Sequence, residues 1–335
     1  MFRFLIALLV VVTPATAQTV IAHRGASAER PEHTLEAYAR AIELGADFIE
    51  PDLVATKDGH LIARHETELS GTTDIADRPA FADRKATKTV DGREVTGWFA
   101  QDFTLAEIKS LRARERLPDI RPANTAYDGQ FEIPTFAEIV ALARAADRLV
   151  GVYPELKTPA FLAEDANIDV VALMVAELQR LDLTSADAPI FVQCFEVEPL
   201  RRLNKMVDTP LVMLLAASGG PADQPTLFYS DLATRDGLAQ IATFADGIGT
   251  SIALLIDNDL KPTSLVTDAH AAGLLVHGWT LRAENAFLPE PLRTSEDTAA
   301  KGNYVLLWNA LIATGADGFF IDNLAEWNAL TASRD

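Results

Sequence analysis

Eight short apolar segments, rich in Val, Ile, Leu and Phe, recur along the chain, and the stretches between them have helical spacing or turn residues. They span residues 20–23, 48–53, 149–156, 190–194, 211–215, 247–249, 275–280 and 318–321, the sixth having the weakest strand signal. Eight strands, most followed by a helix-like segment, read as an α/β fold: a (β/α)8 TIM barrel with a parallel sheet. Helices are predicted over residues 34–44, 135–146, 168–181, 199–206, 263–272 and 305–314. Gly45 reads as the cap that ends the first helix before a short lead into the second strand.

After the second strand the alternation stops. Lys57-Asp58-Gly59-His60 reads as a hairpin turn. Residues 66–130 are polar, turn-rich and short of periodicity, and are assigned to an insertion covering one mouth of the barrel. Stretches 217–231 and 283–300 are expected to decorate the same mouth. Residues 1–17 are set apart as a secretory signal, because Arg3 precedes an apolar run and Ala15-Thr16-Ala17 offers a cleavage pattern before Gln18. The expectation is therefore export to the periplasm and one catalytic domain over 18–335. No later run has the roughly 18–20 apolar residues of a membrane span, and no cysteine stands at the cleavage point to carry a lipid. Cys194 is the only cysteine, so an internal disulfide is excluded. The formal charge is −19, or about −20 once Arg3 is removed, which opposes binding to nucleic acid or anionic membranes. An anionic substrate would need a local reversal of that field.

Residues 23 to 65 hold the chemistry. His23 ends the first strand, at the barrel end where reactive groups gather, although a histidine there is often structural. Arg24 offers a planar fork of donors suited to phosphate, with a surface ion pair as the alternative. Glu50 and Asp52, two apart in a strand, face the same side. Two like charges there need a cation between them unless they are a solvated strand end. Oxygen ligands without Cys or paired His favour a hard divalent ion over zinc. Glu155 and Lys157 repeat the pattern on the third strand, Glu155 as a third metal ligand and Lys157 as a second cation for phosphate, with a simple ion pair as the alternative. His65 would complete an acid and base pair with His23. His33, at the start of the first helix, His60 in the turn and His277 in barrel packing are weaker candidates. Phe195 and Trp279 could line a substrate pocket or pack in the core.

These residues resemble the glycerophosphodiester phosphodiesterases, in particular the secreted bacterial type. The motifs are HRGAS at 23–27, PEHT at 31–34, GADFIEPDLVATKDG at 45–59, YPELK at 153–157, QCF at 193–195 and ADGIG at 245–249, with weaker likeness in HGWTLR and GFFIDN. The resemblance implies the barrel with its insertion and a calcium or magnesium ion, calcium first. It also implies His23 and His65 as the proton-transfer pair, Arg24 as phosphate ligand, and Glu50, Asp52 and Glu155 as metal ligands. Two departures stand out: Glu66 follows His65 where the family usually has Asp, and Asp322-Asn323-Leu324 stands where an Asp is usually followed closely by Pro. The expected reaction is metal-dependent hydrolysis of diesters such as glycerophosphocholine and glycerophosphoethanolamine to sn-glycerol 3-phosphate and an alcohol, with tolerance of the head group. The rivals are cleavage of a lipid or a glycerol-phosphate wall polymer, for the first of which residues 66–130 look too polar, and capture of phosphodiesters without turnover.

Overall fold

The computed structural model describes residues 18–332; the expected signal segment, residues 1–17, lies outside them. In chain order the strands are β1 (Thr19–His23), β2 (Phe48–Glu50), β3 (Asp52–Ala55), β4 (Leu61–Ala63), β5 (Ala86–Val90), β6 (Arg93–Gly97), β7 (Gly151–Val152), β8 (Glu155–Leu156), β9 (Val192–Cys194), β10 (Leu211–Leu215), β11 (Gly247–Ser251), β12 (Leu275–Leu281) and β13 (Gly318–Ile321). The helices are α1 (Leu35–Glu43), α2 (Leu105–Lys109), α3 (Phe136–Arg144), α4 (Pro159–Ala166), α5 (Val170–Arg180), α6 (Val197–Leu203), α7 (Tyr229–Leu232), α8 (Arg235–Ile241), α9 (Leu265–Ala271), α10 (Tyr304–Ile312) and α11 (Leu324–Ala332).

The main sheet has eleven strands, ordered β4-β3-β8-β9-β10-β11-β12-β13-β1-β2-β7. Two expected strands are each broken in two, the second at Pro51 and the third at Tyr153-Pro154, because proline supplies no ladder donor. Joining β2 with β3 and β7 with β8, and setting aside the antiparallel β4, leaves eight parallel strands. The pairs β2·β7 and β3·β8 are then one pair of neighbours, and the ring is closed. The sixth strand, weakest in the sequence, runs two residues further than expected, to Ser251.

The helices start where side chains can cap them. Thr34 Oγ1 accepts from the Ala37 N–H at 3.1 Å to begin α1, and Thr135 with Glu138 forms a capping box on α3. Helices α4, α7, α8 and α11, not expected from the sequence, are short or carry little one-sided periodicity. Most of the core lies between sheet and helices, whereas Ile21, Tyr153, Val212 and Phe320 fill the barrel interior. His277 belongs to that interior layer, its Nδ1 2.8 Å from the Tyr153 hydroxyl.

Residues 66–130 are less formless than their sequence suggests. They hold the β5–β6 hairpin, turned at Asp91-Gly92 with φ of 47° and 77°, and the helix α2. Leu69, Ile75, Phe103, Ile108 and Leu111 form a separate core with Val54 and Ile62 of the β3–β4 hairpin. That shared core fixes the segment to the rim of the barrel, from which two of its arginines reach the site. Among the described residues no helix is long and apolar enough to cross a membrane.

Candidate active site

Register brings the functional groups together. In the parallel ladders His23 lies beside Glu50, and Asp52 beside Glu155, which lies beside Gln193. Aligned residues on neighbouring parallel strands face the same way, so one end of the ring carries a histidine, three carboxylates and an amide. One oxygen from each of Glu50, Asp52 and Glu155 lies within 4.8 Å of the others, and all three side chains are buried.

The protein neutralises this cluster only in part. Lys157 Nζ is 2.8 Å from Glu155 and 3.8 Å from Asp52, and Arg24 Nε is 3.3 Å from Asp52. Among the described residues, Glu50 receives the Arg24 backbone N–H at 2.8 Å and the Gln193 amide at 3.2 Å and no cation at ion-pair distance. Burial and then the Asp52 charge push the Glu50 carboxyl well above the usual range. The same two causes lift Glu155 to about 8 against the pull of Lys157. Asp52 goes the other way: burial opposes its ionisation, but Lys157, His65, Arg24 and His33 together hold it well below the usual range. A site in which two buried carboxyl groups resist ionising beside a third that is ionised, with oxygen donors converging, fits a hard divalent cation.

His23 is backed by a carboxylate. Its Nδ1 is 2.6 Å from Asp322 Oδ1, which leaves Nε2 free. Asp322 is clamped by Arg121 Nη2 at 2.7 Å and Arg282 Nε at 2.8 Å. Burial is outweighed there, and Arg282, Arg121 and His23 hold Asp322 well below the usual carboxylate range. For His23 itself, burial and the Arg24 charge win over Asp322 and lower it to about 4, so the ring is neutral at pH 7 and able to take a proton.

His65, just before the insertion, has the same arrangement. Its Nδ1 is 2.5 Å from Glu66 Oε1, and Arg116 grips Glu66 with bonds of 2.9 and 2.6 Å. Arg116 also grips Glu32 twice at 2.7 Å, and Glu32 in turn pairs with Arg24. Burial, then Arg24 and Lys157, depress His65. Its ring stays 31% exposed, so solvent offsets part of that depression. The departure at Glu66 therefore preserves a carboxylate on the ring.

A cavity of about 470 Å³ joins these groups. His23, Arg24, Glu50, Asp52, His65 and Glu155 form its polar wall; Phe195 and Trp279, 5.7 Å apart and edge to face, form the apolar one with Phe320. Each of the stronger candidates except Lys157 lines it, and Lys157 lies behind Glu155, facing a neighbouring cavity. His60 is exposed in its turn, away from the site. His33 does not begin α1, whose cap is Thr34. It is fully buried between the Tyr38 hydroxyl at 2.8 Å and Asp52 at 2.9 Å, and orients that carboxylate. Sequence reasoning missed this role and those of Asp322, Arg116 and Arg121. Only Asp322 had a usable signal: like His23, it stands where an apolar strand ends.

The loop between these strands is fixed by backbone conformation. Arg24 sits at φ 60° and Gly25 at φ 85°, and a Cβ on Gly25 would lie 2.7 Å from the Ala37 carbonyl carbon. Gly25→Ala is expected to lose about 1–3 kcal/mol of stability from the backbone alone, read as a lower urea midpoint; an unchanged midpoint would show that the turn relaxes.

Residues 23–326 match the model of the Glycerophosphoryl diester phosphodiesterase family. A glycerophosphodiester phosphodiesterase of Arabidopsis thaliana is 37% identical over 90% of this chain and 82% of its own. One from Haemophilus influenzae is 30% identical over 90% and 86%. Among solved structures, a glycerophosphoryl diester phosphodiesterase from Silicibacter pomeroyi superposes with a TM-score of 0.68 at 22% identity, over 96% of this chain and 95% of that one. An Oleispira antarctica phosphodiesterase in complex with the product sn-glycerol-3-phosphate gives 0.60 at 20%, over 94% and 96%.

Proposed function

Since the chain belongs to the glycerophosphoryl diester phosphodiesterase family and is an enzyme of that kind, we propose that it hydrolyses glycerophosphodiesters to sn-glycerol 3-phosphate and an alcohol, using His23 and His65 as proton carriers. The observation that carries this reading is the pairing in one cavity of two carboxylate-backed histidines with three crowded buried carboxylates. The product held by the Oleispira antarctica relative agrees with it. Glycerophosphocholine and glycerophosphoethanolamine are the substrates proposed, and the pattern of residues 1–17 supports periplasmic action. Recovery from the periplasm of a chain beginning at Gln18 checks the location; a chain retaining residues 1–17 in the cytoplasm would refute it.

Glu50, Asp52 and Glu155 would hold the cation, calcium first and magnesium second, which when bound would offset the charge of the phosphodiester and the charge that develops in its transition state. Arg24 adds positive charge to the same wall, and Lys157 adds it from behind Glu155. His23 Nε2, unprotonated because Nδ1–H is directed at Asp322, takes the proton of the glycerol 2-hydroxyl. That oxygen attacks phosphorus, and the bond to the leaving alcohol breaks as His65 gives it a proton. Arg24 and Lys157 depress His65, and a bound phosphodiester anion offsets both, so substrate raises the proton affinity of the donor. Water then opens the cyclic phosphate with the two roles exchanged. Phe195 and Trp279 wall the pocket against bulk solvent.

Release of glycerol 3-phosphate from glycerophosphocholine, measured after chelation and after adding calcium or magnesium, tests the reaction. The expected result is loss with the chelator and recovery with the metal; no release under any metal would refute it. A substrate lacking the 2-hydroxyl is expected to be cleaved at least about a hundredfold more slowly, and equal rates would remove the internal nucleophile.

A further inference from the structure

A second cavity of about 490 Å³ opens from the first and shares His65, Glu155 and Phe195 with it. It lies on the side of His65, where the departing alcohol receives its proton; the inference rests on that reading of the reaction. One wall is the tip of the β5–β6 hairpin, and the opposite wall is formed by the segments following β8 and β9.

The charges on these walls do not balance. Four acids besides the metal-binding Glu155 line the cavity, Glu66, Glu68, Asp91 and Glu196, against the cations Lys157 and Arg93. Arg116 already pairs with Glu66, and Lys157 is held by Glu155 at 2.8 Å. Three acids then face one exposed arginine. Glu196 is the buried one, 4% exposed. Its carboxylate accepts from the Ala160 N–H at 3.0 Å and, among the described residues, meets no Lys or Arg at ion-pair distance. Burial, and then the charge of Asp223, push it up to about 8, as befits a carboxylate lacking a counter-charge. Phe195 and Tyr229, with ring centroids 5.9 Å apart, add aromatic surface to the same cavity. A buried carboxyl group without a counter-charge gives up its proton more readily when a cation arrives, so that, beside aromatic faces, it favours an ammonium group.

We propose that this cavity is the head-group subsite and that Glu196, with Phe195 and Tyr229, selects a cationic alcohol such as choline or ethanolamine over a neutral one. The chemistry of the leaving group alone is tolerant, since the alcohol need only accept a proton. The cavity narrows that tolerance through charge.

The bond to Ala160 at the start of α4 gives Glu196 a structural task as well, so the test uses Glu196→Gln, which keeps an acceptor for that N–H and removes the charge. Glycerol 3-phosphate release is followed for glycerophosphocholine, glycerophosphoethanolamine, glycerophosphoglycerol and glycerophosphoinositol, with kcat and KM separated. The wild-type protein is expected to favour the two cationic diesters by about tenfold or more in kcat/KM, and the variant to lose about tenfold of that ratio, mainly through KM. Equal preference among the four diesters in the wild type would overturn the proposal and leave the hydrolytic reading standing. So would a uniform loss in the variant, which would assign Glu196 to α4 alone. Hydrolysis of none of the four would overturn the reaction itself, and the subsite with it.

Discussion

His23→Ala is expected to lower kcat by about 10²–10⁴-fold, the range for removing a positioned proton carrier, with an unchanged circular dichroism spectrum. The ring is neutral, its Nδ1 is fixed on Asp322, and it lines the cavity. Among the described residues, the groups beside it are already engaged. Glu50 and Glu155 are the residues that would hold the cation, Glu155 also pairing with Lys157, and Asp322 lies behind the ring between two guanidinium groups. Asp322→Asn is expected to approach the same loss, because an amide can present its NH2 to Nδ1 and leave the proton on Nε2. Steady-state kinetics with glycerophosphocholine decides it. A His23→Ala variant within tenfold of the wild type would mean that another group abstracts the proton.

The second large effect concerns the cation. Glu50→Gln is expected to weaken calcium or magnesium binding by about a hundredfold or more, whereas His65→Ala keeps the affinity and loses turnover. The reasoning is electrostatic. Glu50 is the carboxylate least served by the protein's own cations, so it has the most to gain from an ion. Titration calorimetry gives the affinities directly. Thermal denaturation gives an independent reading, since an ion that binds the native state alone raises Tm by mass action. The wild type and His65→Ala should both shift with added metal and Glu50→Gln should not. Equal losses of binding in the two variants would undo the division between ligands and proton carriers.

Much of this was legible because the informative groups lie close in sequence and follow strand period. Glu50 and Asp52 share a side through spacing alone, and Glu155 and Lys157 repeat it. Pro51 and Pro154 interrupt those two ladders, which resume beyond each, a break the strand periodicity alone did not show. What stayed hidden depends on distance along the chain. Asp322 is 299 positions from His23, and Arg116 is 50 from Glu66. Their pairing follows from ring closure and from the docking of residues 66–130, which no local pattern encodes. His33 was hidden for another reason. Its left-handed backbone, φ 56°, turns the ring inward toward Asp52, whereas its place before α1 suggested only a helix start.

The pairing of β1 with β13 makes activity a late property of the chain. β1 leaves the ribosome first among the strands and β13 last, yet His23 has its carboxylate partner only when the two lie side by side. A nascent chain, however well collapsed around its first six or seven barrel strands, carries a histidine with no fixed tautomer and so lacks the base of the proposed reaction. In a refolding experiment the return of turnover would therefore clock the docking of the last strand, while helix content would report everything assembled before it.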